Sequence, residues 1–289
     1  MADCAFIGLG VMGYPMAGHL ASKGHALTVW NRTGSKAEAW AKAHGGKVAP
    51  SPKAAAEAAS LVFLCVGNDD DVRSVTRGDG GALAGLKPGA VLVDHTTASA
   101  ELARELAEAC AGRDAGFVDA PVSGGQAGAE KGALTVMCGG EGGAFEKAKE
   151  AMACYGKAVT LMGPAGSGQL TKMVNQICIA GLVQALGEAV AFAKAAGLDT
   201  DRVVEVISKG AAQSWQMENR WKTMAAGRFD FGFAVDWMRK DLGICLSEAK
   251  RNGSPLPVTA LVDQFYRLVQ QRGGGRYDTS SLILNIEKP

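Results

Sequence analysis

The sequence predicts an α/β protein: a doubly wound parallel sheet over the first half, followed by an all-helical second half joined to it by one long helix. Three observations carry this. Short apolar runs alternate with helical patterns through the first half. A glycine-rich turn follows the first apolar run directly. Strand-like segments almost vanish after the Pro and Gly cluster at 163–168, which sets the expected domains at 1–163 and 164–289.

Strands are expected at 4–8, 26–30, 61–66, 91–94, 116–119, 134–138 and 158–161, with Ala-, Glu- and Lys-rich helices between them at positions such as 100–111 and 143–153. The run 169–196 predicts a helix of about 40 Å at 1.5 Å per residue, long enough to leave one domain and floor the next. Further helices are expected at 199–209, 215–226, 233–252 and 257–271, and Gly273 to Gly275 predict a flexible turn before the C-terminal segment. Trp215, Trp221, Phe231, Phe233 and Trp237 cluster in the helical half and read as core or subunit interface. His95 reads as packed beside the sheet, because nothing around it supplies a relay.

Composition bounds the function. The chain has 289 residues, 47% of them hydrophobic, enough for substantial cores. Thirty basic against 29 acidic side chains leave a net charge of +1, which disfavours nucleic acid as the main partner. The N-terminus lacks a signal-peptide pattern, and Gln184 and Glu188 interrupt the longest apolar stretch, 177–190, so a cytoplasmic protein with no membrane span is expected. Seven cysteines are scattered without a C-x-x-C pair, and reduced, mostly buried thiols are expected rather than disulfides or a metal site.

Gly8-Leu9-Gly10-Val11-Met12-Gly13 fits G-x-G-x-x-G, between a strand and a helix. In that setting Gly8 allows the tight turn, Gly10 lets the backbone approach a pyrophosphate and Gly13 permits close helix packing. The amides at the helix start face the anion. The second strand ends in Trp30-Asn31-Arg32-Thr33, where NAD-preferring proteins usually carry an acid for the ribose 2′-hydroxyl. Asn31, Arg32 and Thr33 instead suit a 2′-phosphate, so NADP(H) is expected to be preferred, with NAD(H) possible.

Three further motifs point to an enzyme. Asp119-Ala-Pro-Val-Ser123-Gly124-Gly125 is a strand end, a Pro-fixed turn and a hydroxyl with glycines, whose amides could hold a carboxylate. The stretch Gly166-Ser-Gly168-Gln-Leu-Thr-Lys172-Met-Val-Asn175-Gln176 opens the long helix with Lys172, Asn175 and Gln176 on one face. Lys240-Asp241-Leu242 lies inside an otherwise apolar helix.

With the segment Phe6 to Gly13, these motifs resemble in order those of the β-hydroxyacid dehydrogenase family, which includes 3-hydroxyisobutyrate dehydrogenase, tartronate semialdehyde reductase and glyoxylate/succinic semialdehyde reductases. The likeness covers nearly the whole chain. It implies an N-terminal Rossmann-type domain, a helical C-terminal domain that often mediates oligomerisation as a homodimer or homotetramer, and Lys172 as the catalytic residue. It implies that Ser123, Gly124, Gly125 and Asn175 bind substrate. Gln176, also expected to bind substrate, stands where some members have a second Asn. The same resemblance places Lys240 near the cofactor, closing the cleft at the domain junction. It also places Val66-Gly67-Asn68 against the cofactor and the Thr97 hydroxyl near the nicotinamide. Thr96 stands where many relatives have Ser, and Ser99-Ala100 where a Pro is common.

The expected substrate is a small hydroxy acid or aldehyde acid. Lys172 as an ammonium would donate a proton to the carbonyl during reduction, and as a free amine it would take the alcohol proton during oxidation. Burial and an oxidised nicotinamide both favour the free amine. The alternatives are an imine reductase-like relative, which generally lacks the lysine, and a noncatalytic NADP-binding module. A 6-phosphogluconate-type decarboxylating enzyme would need a cluster for a substrate phosphate, which is not evident here.

Overall fold

The protein is described from a computed structural model covering residues 1–287. The chain divides into two compact units, the first Met1–Lys172 and the second starting at Met173, so the division falls inside a helix. In the first unit β1 (Asp3–Ile7), α1 (Gly13–Ser22), β2 (Ala26–Trp30), α2 (Gly34–His44), β3 (Lys47–Val48), α3 (Pro52–Glu57), β4 (Leu61–Leu64), α4 (Asp69–Thr76) and α5 (Ala82–Gly85) follow one another. They continue as β5 (Val91–Asp94), α6 (Ala100–Ala111), β6 (Gly116–Asp119), β7 (Val122–Ser123), α7 (Gly125–Glu130), β8 (Leu134–Gly140), α8 (Gly142–Met152) and β9 (Gly156–Gly163).

The strands form one sheet in the order β3-β2-β1-β4-β5-β6-β8-β7, with β9 on β8. All neighbours from β3 to β6 pair in parallel, which bears out the doubly wound expectation. The chain switches direction across the sheet between β1 and β4, which in open α/β sheets puts a crevice at the carboxyl ends of the strands. Strands buried on both faces read as continuous apolar runs. In β4, Leu61 and Phe63 join the cluster on one face while Val62 and Leu64 join the other.

Three details depart from the expectations. β8 runs antiparallel to β6 and to the two-residue β7, so the sheet is not parallel throughout. A parallel return needs a crossover of a dozen or more residues, usually a covering helix. Here the connection is largely spent on the β7 hairpin and the six-residue α7. The second detail is β3, which was not expected because its two residues are too few to show a period. The third concerns the long helix.

That helix, α9 (Ser167–Ala195), begins in the first unit and runs through the second. It contains an 18-residue window of mean hydropathy 1.6 and is long and apolar enough, by length and composition, to cross a membrane. This overturns the expectation that Gln184 and Glu188 leave the stretch short of a span; the two lie one turn apart and bond to each other. In the second unit α9 is followed by α10 (Thr200–Ile207), α11 (Trp215–Ala225), α12 (Val235–Asn252), α13 (Pro257–Gln271) and the short 3₁₀ turns Gly274–Arg276 and Thr279–Asn285. The segment at 273–275 is thus a left-handed glycine and an ordered turn.

One apolar cluster of this unit gathers Ala180 and Val183 with Val235, Met238, Leu242, Val262 and Tyr266. The other gathers Leu186 and Val190 around the buried Trp221, whose ring nitrogen donates to the Thr200 carbonyl. Trp215, Phe231 and Trp237 are exposed; Arg220 lies over the first two rings and Lys240 over the third. Of the seven cysteines, four are buried and Cys178 is exposed.

Trp40 fixes α2 against α1: its ring is fully buried and its Nε1 donates to the Tyr14 carbonyl of α1. Trp40→Ala should lower the unfolding free energy by about 3–5 kcal/mol, the usual cost of emptying a buried aromatic site. Urea unfolding checks this, and a loss below about 1 kcal/mol would contradict the packing described.

Candidate active site

The glycine-rich turn is built by close approach. Gly8 has φ +97°, and its amide donates to the Trp30 carbonyl at 2.9 Å. A Cβ there would lie 2.3 Å from the Cys65 carbonyl oxygen. At Gly13 a Cβ would lie 2.0 Å from the Gly8 carbonyl oxygen, whereas at Gly10 it would meet nothing within 4 Å. The first and third glycines therefore hold the turn, and the second leaves its outer side open. Val11 is exposed, Leu9 is buried, and Met12 precedes α1 without a side-chain cap. Unpaired amides at such a helix start suit a pyrophosphate, so the turn fits a dinucleotide.

At the end of β2 the three candidate residues do different things. Asn31 Oδ1 accepts from the Leu9 amide at 2.9 Å, and its Nδ2 donates to the Thr33 carbonyl at 3.0 Å. It staples the glycine turn to β2. Arg32 is exposed and paired with Asp71 on α4 at 3.1 Å. Thr33 precedes α2 with its side chain making no cap bond.

Across the crevice, the Val66 amide donates to Thr96 Oγ1 at 3.0 Å, and Asn68 caps α4 by accepting from the Asp71 amide at 2.8 Å. Gly67 and Thr97 are half-buried beside these bonds. His95 Nδ1 bonds the Ala120 carbonyl and its Nε2 the Tyr155 hydroxyl, and burial pushes its pKa down to about 4. It is a neutral packing residue, as read from the sequence.

Asp94 and Asp119 end the adjacent strands β5 and β6 as register partners. Burial raises the Asp94 carboxyl to about 7, against the hydrogen bonds from Thr96 and with the help of Asp119 and Asp69. Burial likewise raises Asp119 to about 6, opposed by backbone amides. Those amides belong to the start of α9: Gly166 donates to Oδ1 at 2.7 Å, Gln169 to Oδ2 at 2.8 Å, and Gly168 also donates. Gly168 and Gly139 must lack side chains, since a Cβ on either would come within 2.8 Å of the Asp119 carboxylate.

Lys172 follows one turn after Gln169 on the same helix face and is 7% exposed. Ser123 is half-buried at the end of β7, and Gly124 and Gly125 turn the chain with φ +131° and +60°.

In the second unit Asn175 Nδ2 donates to Gln176 Oε1 at 2.8 Å, and Gln176 Nε2 donates to Asp241 Oδ2 at 2.7 Å. Lys240 Nζ stands 3.0 Å from Asp241 Oδ1 as an ion pair rather than an aligned hydrogen bond. Gln176 and Asp241 are 2% exposed. Asp241 is therefore no solvated charge; it fixes the amide orientations of Gln176 and Asn175. Sequence reasoning singled out the Lys240-Asp241 pair but missed this role, and it missed Asp119 and Gln169 as holders of the helix. The signal was present in Gln169, a polar residue three before Lys172.

The sheet order, the crevice and the glycine turn define the class of α/β dinucleotide-binding proteins. Residues 3–163 match the family model described as the NAD binding domain of 6-phosphogluconate dehydrogenase, and residues 166–286 match that of the NAD-binding domain of NADP-dependent 3-hydroxyisobutyrate dehydrogenase. The chain is 42% identical over 284 residues to the probable 3-hydroxyisobutyrate dehydrogenase-like 1 protein of Arabidopsis thaliana, covering 98% of this chain and 84% of that one. It is 34% identical over 282 residues to the 2-hydroxy-3-oxopropionate reductase of Escherichia coli (strain K12), covering 98% and 96%. The solved structure of Mycobacterium tuberculosis 3-hydroxyisobutyrate dehydrogenase with L-serine is similar at TM-score 0.90 and 27% identity, over 100% of both chains. The chain belongs to the family of NAD(P)-dependent, 3-hydroxyisobutyrate dehydrogenase-like hydroxyacid dehydrogenases.

Gly13→Ala should weaken NAD(P)H binding by about 10-fold or more, since the new methyl displaces the turn; titration of nicotinamide fluorescence reads this, and unchanged affinity would contradict the close approach. The Asp94 carboxyl has a raised folded pKa, so its stabilising contribution is complete below the unfolded value of 3.8 and is lost as pH rises through about 7. Because His95 works in the opposite sense, from about 4 to 6.5, the useful comparison is with Asp94→Asn. Wild-type unfolding free energy should fall relative to that variant as pH rises through this window. A constant difference would rule Asp94 out as a source.

Proposed function

We propose that this chain is an NADP(H)-preferring oxidoreductase that interconverts a small hydroxy acid and the corresponding aldehyde or keto acid, with Lys172 as general acid and base. The observation that carries the reading is a buried primary amine one turn beyond a helix start that is anchored by a carboxylate and preceded by glycines. A lysine at an arbitrary helix start is normally exposed.

The residues fit a nicotinamide dinucleotide: Gly10 leaves its outer side open and the start of α1 is uncapped. When bound, that cofactor supplies or accepts the hydride. Every other task falls to side chains and amides of this chain. Lys172 Nζ gives a proton to the substrate oxygen during reduction and takes one during oxidation. Ser123 and the Gly124 and Gly125 amides bind the substrate carboxylate. Asn175 orients the reacting oxygen without adding charge, its amide held by Gln176 and, beyond it, Asp241. Lys240 and the Thr97 hydroxyl are assigned to the nicotinamide side, and Val66, Gly67 and Asn68 to the cofactor by way of the α4 start.

Arg32 is the candidate reader of the 2′-phosphate. Its ion pair with Asp71 is surface-exposed and worth little in itself, so a phosphate can replace it. Charge-assisted bonds of about 1.5–3 kcal/mol translate to roughly 10- to 100-fold in affinity. Arg32→Asp should therefore shift the ratio of kcat/KM for NADPH over NADH by at least about 10-fold toward NADH, and an unchanged ratio would defeat the assignment.

A panel of semialdehydes, glyoxylate and hydroxy acids, followed by absorbance at 340 nm with either cofactor, tests the activity itself. With the best substrate, Lys172→Ala should keep cofactor binding while kcat falls by about 100-fold or more. Near-normal turnover in that variant would remove Lys172 from the chemistry.

A further inference from the structure

Gln169 is 1% exposed, and both ends of its side chain are committed to one stretch of backbone. Its Oε1 accepts from the Ala98 amide at 3.0 Å, and its Nε2 donates to the Thr96 carbonyl at 2.7 Å. The residue spanned by these two bonds is Thr97. The Gln169 amide itself donates to Asp119 Oδ2, so the side chain projects from a helix turn that a buried carboxylate holds in place. Lys172 lies three residues further on the same face.

We infer that Gln169 is a positioning residue that sets Thr97 and Lys172 in register, so that the hydride-side and proton-side groups of the site move as one piece. The inference rests on the proposed roles of Lys172 and Thr97. A side-chain amide suits the task because it offers one donor and one acceptor in a plane, matching the carbonyl and amide that flank a single residue. Glutamate has nearly the same shape but no donor when ionised. Leucine has neither group and would leave the Thr96 carbonyl and Ala98 amide buried and unpaired. Misplacing reacting groups by about 1 Å costs on the order of 100-fold in rate, while nucleotide binding at the distant glycine turn is untouched.

The test uses the full chain with Gln169→Leu and Gln169→Glu, assayed in the direction of carbonyl reduction with the substrate that the panel identifies. Gln169→Leu should lose about 10-fold or more in kcat, with NADPH affinity by nicotinamide fluorescence within about 3-fold of wild type. Hydrogen exchange of the amides at 96–98 should become faster in the same variant. Gln169→Glu should lose kcat similarly at high pH and regain it as pH falls, because the neutral acid can again donate to the Thr96 carbonyl. The neighbouring Asp119 and Asp94 raise the pKa of the new carboxyl, as burial does, while Lys172 one turn away lowers it.

Wild-type kcat and a wild-type pH profile in both variants, with only thermal stability reduced, would show a packing role and overturn the inference. Unchanged exchange at 96–98 in Gln169→Leu would overturn it independently of any substrate. Failure of the proton-transfer reading shows up separately, as retained turnover in Lys172→Ala.

Discussion

The Asp119 carboxylate, buried at the end of β6, accepts amides from Gly166, Gly168 and Gln169, and through them it decides where α9 begins. A helix start leaves amides without partners, and burying them unpaired would be costly. An anion at that end satisfies them and is favoured by the helix dipole. The same burial that raises the Asp119 pKa is thus opposed by the helix it holds. Glycine is required on both sides of the contact, at 139 and 168, since a methyl on either would collide with the carboxylate. The sheet and α9 are joined by this one arrangement, and Lys172 inherits its position from it.

The nucleotide side follows a parallel logic. Gly8 and Gly13 are packed against backbone oxygens, so the turn has little freedom, and Asn31 fixes it to β2 with a bond to the Leu9 amide. The unencumbered side of Gly10 then becomes the place where an anion can approach. On the opposite wall of the crevice Thr96 and Asn68 hold Val66 and the start of α4 in the same manner. In the second unit the chain from Asp241 through Gln176 to Asn175 sets amide orientation in one direction only, because a carboxylate can only accept. Polar side chains bonded within the protein thus fix the orientation of the turn, the α4 start and the Asn175 amide.

Much of this was legible in the residues. Alternating apolar runs gave every strand longer than three residues, and α6 and α13 begin and end at the expected residues, because Ser99 caps the first and Pro257 opens the second. The antiparallel β8 was not legible: strand direction depends on how the 120–133 connection folds, and its residues carry no sign of that. Local motifs singled out Gly8, Gly10, Gly13 and Lys172, each from residues adjacent in the chain. The bond of Asn31 to the Leu9 amide was not anticipated, and Asp119 and Gln169 were missed as helix anchors. Each of these acts across a long sequence separation, Asp119 to Gly166 and Gln169 to Thr96, which only the folded chain reveals.

The most direct test of the central claim is a crystal structure of the protein with NADP⁺ and a slowly reacting hydroxy acid. Lys172 Nζ should lie within hydrogen-bond reach, about 2.6–3.2 Å, of the hydroxyl whose carbon faces the nicotinamide C4. In a closed ternary complex, a Lys172 amine turned toward solvent, with another group or water bonded to that hydroxyl, would contradict it.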